Sequence, residues 1–467
     1  MPNAAEIRTS LGHPVIDGDG HLLEPTALLF DYLANLVGAR TARRIMVCAG
    51  RQVSMGDARA RRARTGWWLT PNNARDIATA MAPGLRSERH SELGIDFSIL
   101  YPSAGLALAS LAEDEFRLAG VRAVNTMNAD LCRDYPCHLA VAALIPMHTP
   151  QEAVNELDYS RTELGLKVAV IPPLVARPVP SFPAAFPQLC WLDSYGLDSA
   201  YDYDTVWAKF MELGMAVTSH GAVADCVPFG RSSPSNFVFN HIGAHSFQQE
   251  HLCKSLVLGG VPGRFPQLNF AFLECGALWA CELVQALADH YRKRGPAGLM
   301  QLEPAGTDRA ELSLLLGRYG GPAFTASVPF SAGRPHARCD SEDSRDEFRL
   351  SGANSADDLV RAFDRLYFGC EADDRGAAVA LQAKDLFGTR IKAMFSSDIG
   401  HWDVPDAAEV IHESYELVEH GALGLEDYQD FVFRNAVMLH GQMNAGFFAG
   451  TAVEDRVQEV LLKRNTR

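Results

Sequence analysis

Two carboxylates and an imidazole alternate with glycine in Asp17-Gly18-Asp19-Gly20-His21, directly behind the apolar pair Val15 and Ile16 and ahead of Glu24-Pro25. An apolar pair running into such a stretch reads as a buried strand that opens into a loop. Side chains alternate along a strand, so Asp17, Asp19 and His21 are expected on one face. Acidic groups gathered at a buried strand end are costly unless positive charge sits among them. A divalent metal meets that need, and the glycines leave space for it. The plainer reading is a loop that contains Asp and Gly because loops favour them. The rest of the chain decides between the two.

Other groups of the same chemical type recur far along the sequence. His220 follows the run 214–218, Glu274 follows 268–273, Glu371 closes 366–371, and Asp398 with His401 follows 391–395. His241 and His245 are four apart and share a face if a helix starts early there. Each apolar run reads as a strand, together with those at 15–16, 95–101, 141–146 and 165–171. Helical stretches lie between them at 26–37, 107–135, 151–163, 204–213, 248–260, 279–294 and 376–385. Strand and helix alternating at this spacing predict parallel strands covered by helices. The fold expected is α/β, a distorted (β/α)8 TIM barrel formed by one domain over residues 1–467. In such a barrel the strand ends meet on one rim, so a site needs no local cluster in sequence. Two histidines and two carboxylates hold a hard or borderline dication and leave a position for water or substrate.

Three segments are long for βα connections: 38–90, 172–201 and 299–355. They are expected as insertions that wall the pocket. Arg40 to Arg51 and Arg59 to Arg64 read as a basic, irregular excursion, and 172–201 as a long βα loop. Asp340, Glu342, Asp343, Asp346 and Glu347 read as a solvated face. Trp68, Trp191, Trp279 and Trp402 are candidates for apolar pocket residues, with ordinary core packing as the alternative for each.

The bulk properties narrow the partners. With 467 residues, 47% of them hydrophobic, there is ample material for a core. The net charge of -15 argues against a broad nucleic-acid face. No apolar run is long enough to span a membrane, and the first twelve residues lack a signal-like apolar stretch. The ten cysteines are scattered without a CxxC pair, as expected of reduced thiols in a cytoplasmic protein.

The motifs VIDGDGHLLEP (15–25), DFSILYPS (96–103), VTSHG (217–221), HIGAHSF (241–247), RFPQLNFAFLECGALW (264–279), CEADD (370–374), FSSDIGH (395–401) and FFAGTAVED (447–455) together resemble the amidohydrolase superfamily. The branch is that of aminocarboxymuconate semialdehyde decarboxylase and the aromatic-acid decarboxylases. The resemblance covers nearly the whole chain. It implies a divalent metal (Zn, Mn or Fe) held by Asp19, His21, His220 and Asp398, and a homodimer. The branch usually carries His-x-His or Glu-x-His on its first strand, so Asp19 is a departure that shortens the carboxylate arm. Decarboxylase relatives use a sixth-strand histidine for proton transfer, where this chain has Glu274. His245 or His401 is then the replacement imidazole. Glu274, His245 and His401 could also complete a second metal site. Lys167 lies inside its strand, so no lysine is placed to become a carbamylated bridge.

The leading expectation is a hydrolase whose metal-bound water attacks an amide, ester, thioester or vinylogous carbonyl of a small molecule. His245, Glu274, His401 and Asp398 are its expected catalytic set. The alternative is non-oxidative decarboxylation of an aromatic or unsaturated carboxylate. A dinuclear oxygenase and a non-catalytic partner subunit are the remaining readings.

Overall fold

The computed structural model describes residues 2–54, 70–179, 190–221, 236–302, 306–321 and 346–465. Eight strands form one sheet: β1 Ile16–Leu22, β2 Phe97–Pro102, β3 Leu139–Leu144, β4 Val168–Ile171, β7 Val217–His220, β8 Phe270–Leu273, β9 Leu366–Cys370 and β10 Lys392–Phe395. They run in the order β1-β2-β3-β4-β7-β8-β9-β10, and every neighbouring pair is parallel. Helices surround them, so the sheet is a nearly closed TIM barrel. All eight strands coincide with runs legible in the sequence. The reason is physical: parallel strands covered on both faces are near-continuous apolar runs, as Val-Ala-Val-Ile in β4 and Phe-Ala-Phe-Leu in β8 illustrate.

The first and last strands are joined by the Asp17 side chain and one backbone hydrogen bond rather than by a ladder. Ser397 donates its backbone N–H to Asp17 Oδ1 (2.9 Å) and its hydroxyl to Asp17 Oδ2 (2.7 Å). Asp398 N–H donates to the Asp19 carbonyl at 3.2 Å. Arg86, from the helix Pro83–Leu93, donates to Asp17 Oδ2 at 2.8 Å, and both charged groups are fully buried.

Three sequence expectations change here. The Asp/Gly/His stretch is no loop: it is β1 itself, buried along its whole length. A register shift between Asp17 and Gly20 breaks its alternation, so Asp17 faces the seam while Asp19 and His21 face the rim. The glycines also leave no open space. A Cβ at Gly18 would lie 2.8 Å from Met394 Sδ, and one at Gly20 would lie 2.5 Å from Asp17 Oδ2.

Second, Arg40 to Arg51 is not irregular, because the helix Ala39–Ser54 covers it. Ala42 and Ile45, three apart, are buried on one side while the arginines take the other. Third, residues 172–201 contain structure of their own. Strand β5 (Val175–Pro178) pairs antiparallel with β6 (Cys190–Asp193), and Arg177 on one reaches Asp193 on the other. In the third insertion the helices Pro296–Gln301 and Arg309–Tyr319 are described, and Glu347 pairs with Arg294 at 2.7 Å. Trp68, Arg59 to Arg64, Asp340, Glu342 and Asp343 lie outside the described residues.

Lys167 precedes β4 rather than lying inside it. Its Nζ donates to the Phe447 carbonyl at 3.2 Å, at the end of the barrel opposite the strand exits. Among the described residues no helix is long and apolar enough to cross a membrane.

Candidate metal centre

The strand exits bring together residues that are up to 382 positions apart, Asp19 to His401. Asp19 and His21 lie late in β1, His220 is the last residue of β7, Glu274 follows β8, and Asp398 and His401 follow β10. The ring centroids of His21 and His220 are 5.0 Å apart, and those of His21 and His401 3.9 Å. His220 Nε2 approaches Glu274 Oε2 to 2.8 Å, and His21 Nε2 lies 3.2 Å from Asp398 Oδ1 and 3.7 Å from Glu274 Oε2. His401 Nδ1 lies 2.6 Å from Asp398 Oδ1, and His245 Nε2 3.6 Å from Glu274 Oε1. All the predicted site residues therefore meet at one rim.

They do not form one quartet. Mutually close ligand atoms fall into overlapping sets: Asp19, His21 and His220 in one, and His21, Glu274, Asp398 and His401 in another. His21 is common to both. Asp398, expected beside Asp19 as a ligand, sits on the Glu274 and His401 side of it.

The outer hydrogen bonds decide which imidazole nitrogen faces the site. His220 Nδ1–H donates to the Gly221 carbonyl at 2.7 Å, so the neutral ring presents a bare Nε2 lone pair to the site. His21 Nδ1 lies 3.1 Å from the Ser103 hydroxyl, which also contacts His401 Nε2 at 3.3 Å. The tautomer in which His21 Nδ1–H donates to Ser103 likewise presents a bare Nε2 inward. Ser103 is fixed in turn by its backbone N–H, which donates to the buried Glu24 carboxyl at 3.2 and 3.3 Å.

What faces these lone pairs is more lone pairs. Asp19 Oδ1, His21 Nε2, His220 Nε2, Glu274 Oε2 and both Asp398 oxygens are buried without a hydrogen-bond partner among the described residues. Such atoms are each costly in isolation. A dication shared among them removes the cost, and an N/O donor set of this kind suits Zn or Mn. The residues present therefore fit a metal ion.

Electrostatics agree with the crowding. Burial, then the charges of Glu274, Asp403 and Glu371, push Asp398 well above the usual carboxylate range. Burial also drives Asp19 upward, and Glu274 and Asp17 add to it. Burial and the neighbouring His401 hold His21 well below the ordinary imidazole value. For His220, burial would lower the ring, but the hydrogen bond and charge of Glu274, with Asp19, outweigh it and hold it near 9. Burial would raise Glu274, yet His245, His21 and His220 together hold it low and ionised. A proton on His220 and a dication are alternative ways to neutralise Glu274, so metal uptake displaces that proton.

Backbone strain marks the same two exits. Glu274 and Asp398 are both left-handed, each with φ 48°, a conformation that costs a non-glycine residue on the order of 1 kcal/mol or more. Gly221 is needed here too, because a Cβ on it would lie 2.8 Å from His245 Nδ1.

A cavity of about 410 Å³ opens on this rim, lined by His241, His245, Glu274, Glu371, Trp402 and Asp403 among others. Of the tryptophans, Trp402 reaches it. Trp279 packs between Phe272 and Phe368 below the rim, and Trp191 is half-buried in β6. Sequence reasoning did not single out Ser103 or Asp403. The signal for Ser103 was its place just beyond the β2 exit, the same kind of position as His220 and Glu274.

No protein-family model and no curated protein matches the sequence. Solved structures do match. An amidohydrolase from Mycobacterium avium subsp. paratuberculosis K-10 is 16% identical with a TM-score of 0.55, covering 92% of this chain and 100% of that one. A dihydroxybenzoic acid decarboxylase from Polaromonas sp. JS666, solved with manganese and the inhibitor 2-nitroresorcinol, is 14% identical with a TM-score of 0.50, covering 94% and 99%. The 5-carboxyvanillate decarboxylase from Sphingomonas paucimobilis is 13% identical with a TM-score of 0.51, covering 91% and 98%. These structural neighbours are amidohydrolases and aromatic-acid decarboxylases, the proteins that the sequence motifs resemble. At these identities what they share with this chain is the barrel fold.

Proposed function

We propose that this chain is a metal-dependent enzyme acting on a small organic acid, foremost a non-oxidative decarboxylase of an aromatic or unsaturated carboxylic acid. The observation that carries the reading is the buried set of unpaired imidazole and carboxylate atoms at the barrel rim. The manganese-bound decarboxylase among the structural neighbours supports the choice of substrate. His21, common to both close sets, would hold the metal with Asp19 and His220, and Asp398 and Glu274 would face it from the other set. When bound, the metal supplies positive charge that fixes the substrate's oxygens and steadies the negative charge that develops as the reaction proceeds.

The chain's own groups account for the rest. Trp402 and His241, their ring centroids 5.4 Å apart, offer aromatic faces to a planar substrate at the cavity mouth. Burial keeps bulk water from the reacting carbon. The bond between carbon and carboxyl breaks, its electron pair stays on the carbon, and carbon dioxide leaves. His245, which Glu274 holds toward the site, delivers the proton that the carbon takes up. Glu371 lines the same cavity. Burial and the charges of Asp403 and Glu274 raise it to about 8, so it holds a proton near neutrality and is a second donor.

Hydrolysis is the second reading, and Glu274 favours it. A carboxylate held ionised accepts a proton from water more readily than it gives one to carbon. In heavy-oxygen water, decarboxylation yields carbon dioxide and a product whose retained oxygens are unlabelled, and in deuterated water that product carries deuterium on the carbon that bore the carboxyl group. Hydrolysis places solvent oxygen in the product. Either reaction requires His220→Ala and Asp398→Asn to lose bound metal and turnover together. Full turnover in a metal-depleted variant would sink both readings.

A further inference from the structure

We infer that the rim holds a second cation site, built by His241, His245 and the outer oxygen of Glu274, so that Glu274 bridges two dications. The inference rests on the metal reading above and extends it outward; with the outer cation bound, His245 serves as a ligand and Glu371 is left as the proton donor.

The two oxygens of Glu274 serve different neighbours. Oε2 faces His220 at 2.8 Å and His21 at 3.7 Å, whereas Oε1 faces His245 at 3.6 Å. A carboxylate with imidazoles on both sides is placed to bridge. Its left-handed backbone (φ 48°) holds the side chain between the two groups.

The two outer histidines are brought together by a break in the helix. His241 ends the short helix Phe237–His241, and His245 lies in the first turn of Ala244–Leu258. Gly243, with φ 76°, turns the chain between them. The ring centroids then stand 5.6 Å apart, and one ligand atom from each of His241, His245 and Glu274 lies within 4.8 Å of the other two. Small side-chain rotations bring such atoms to the spacing of a tetrahedral zinc site, whose bonds are about 2.0–2.2 Å. Two imidazoles and one carboxylate suit zinc and leave a fourth position open.

The surroundings supply the field for a cation. Glu371, Asp373, Asp374 and Asp403 line the same cavity, and Asp403 Oδ1 is buried without a hydrogen-bond partner among the described residues. An anionic substrate entering past so many carboxylates would be repelled. A dication on the outer site reverses that sign where the substrate enters. It gives the substrate's second oxyanion a place to bind through the open position.

The test is zinc stoichiometry on the full-length, metal-stripped protein, by calorimetric titration and by elemental analysis after gel filtration. Wild type, His241→Ala, His241→Gln and His21→Ala are compared, with circular dichroism confirming the fold of each. Two equivalents in wild type, falling to one in both His241 variants, is the expected result. Two equivalents retained in the His241 variants would overturn the proposal. So would a single equivalent in wild type that His21→Ala removes and the His241 variants keep, and that pattern leaves the inner site standing. A single equivalent lost with His241 but kept in His21→Ala would overturn both this proposal and the inner ligand set. No bound zinc at all would overturn both as well.

Discussion

Where the strands begin, Asn269 donates its buried amide to the carbonyls of Met438 and Leu439 at 3.1 and 2.8 Å, and Lys167 reaches the carbonyl of Phe447. Where they end, Asp19, Glu274 and Asp398 crowd against one another and against imidazole lone pairs. The hollow at the base, about 330 Å³, is lined by Phe97, Leu139, Lys167 and Phe447 among others, and the close ligand groupings found in the described residues all lie at the other end. One end supplies partners for Asn269 and Lys167 from within the chain, and the other collects groups that need something from outside it. The left-handed carboxylates Glu274 and Asp398 belong to the second end. In this barrel stability is built at the base and middle, and the cost of the site is concentrated at the rim.

The largest effect expected of a substitution on this contrast lies between the two ends, at the seam. Arg86→Ala leaves Asp17 buried without its cationic partner, and such a loss costs roughly 3–5 kcal/mol. Urea denaturation measures it, and a loss below about 1 kcal/mol would show that the Ser397 contacts alone hold the seam. At the rim, Ser103→Ala removes the hydroxyl that orients His21. Metal affinity should fall about 10–100-fold, while the stability of the metal-stripped protein stays within about 0.5 kcal/mol. Unchanged affinity, read by competition with a chelating dye, would remove Ser103 from the site.

A further effect belongs to the base. His440 stacks on Phe447 at 4.5 Å, and burial lowers its pKa to about 3. An unfolded imidazole takes its proton near 6.5. The stability that neutral His440 confers is therefore complete above that pH and is lost as pH falls toward 3, at up to about 1.4 kcal/mol per pH unit. His440→Phe should flatten the pH dependence of the urea midpoint by one proton in that window. Identical slopes in the two proteins would contradict this.

Much of this was legible before any coordinates. The eight strands were, because burial on both faces leaves no polar alternation to confuse the reading. The rim residues were, because a His or a carboxylate directly after an apolar run is conspicuous. What escaped depended on partners elsewhere. The bulge that separates Asp17 from Asp19 is set by pairing with β2, which the local pattern does not reveal. The helix Ala39–Ser54 hid behind its arginines, since its inner face is marked by the small or scattered residues Ala42, Ile45, Met46 and Ala49. The pairing of β5 with β6 depends on residues on both sides of a proline-rich stretch. Ser103 matters through contacts with His21 and His401, which lie 82 and 298 positions away.

The seam also governs when the site can exist. Asp17 and Ser397 are separated by 380 residues. A nascent chain has made Asp19 and His21 long before Asp398 and His401 emerge. Until then Asp17 has Arg86 but neither of its contacts to Ser397, and the rim lacks its last carboxylate. Metal capture by the full donor set therefore waits for the whole barrel, and a fragment that stops short of β10 carries the opening motif without the site it belongs to.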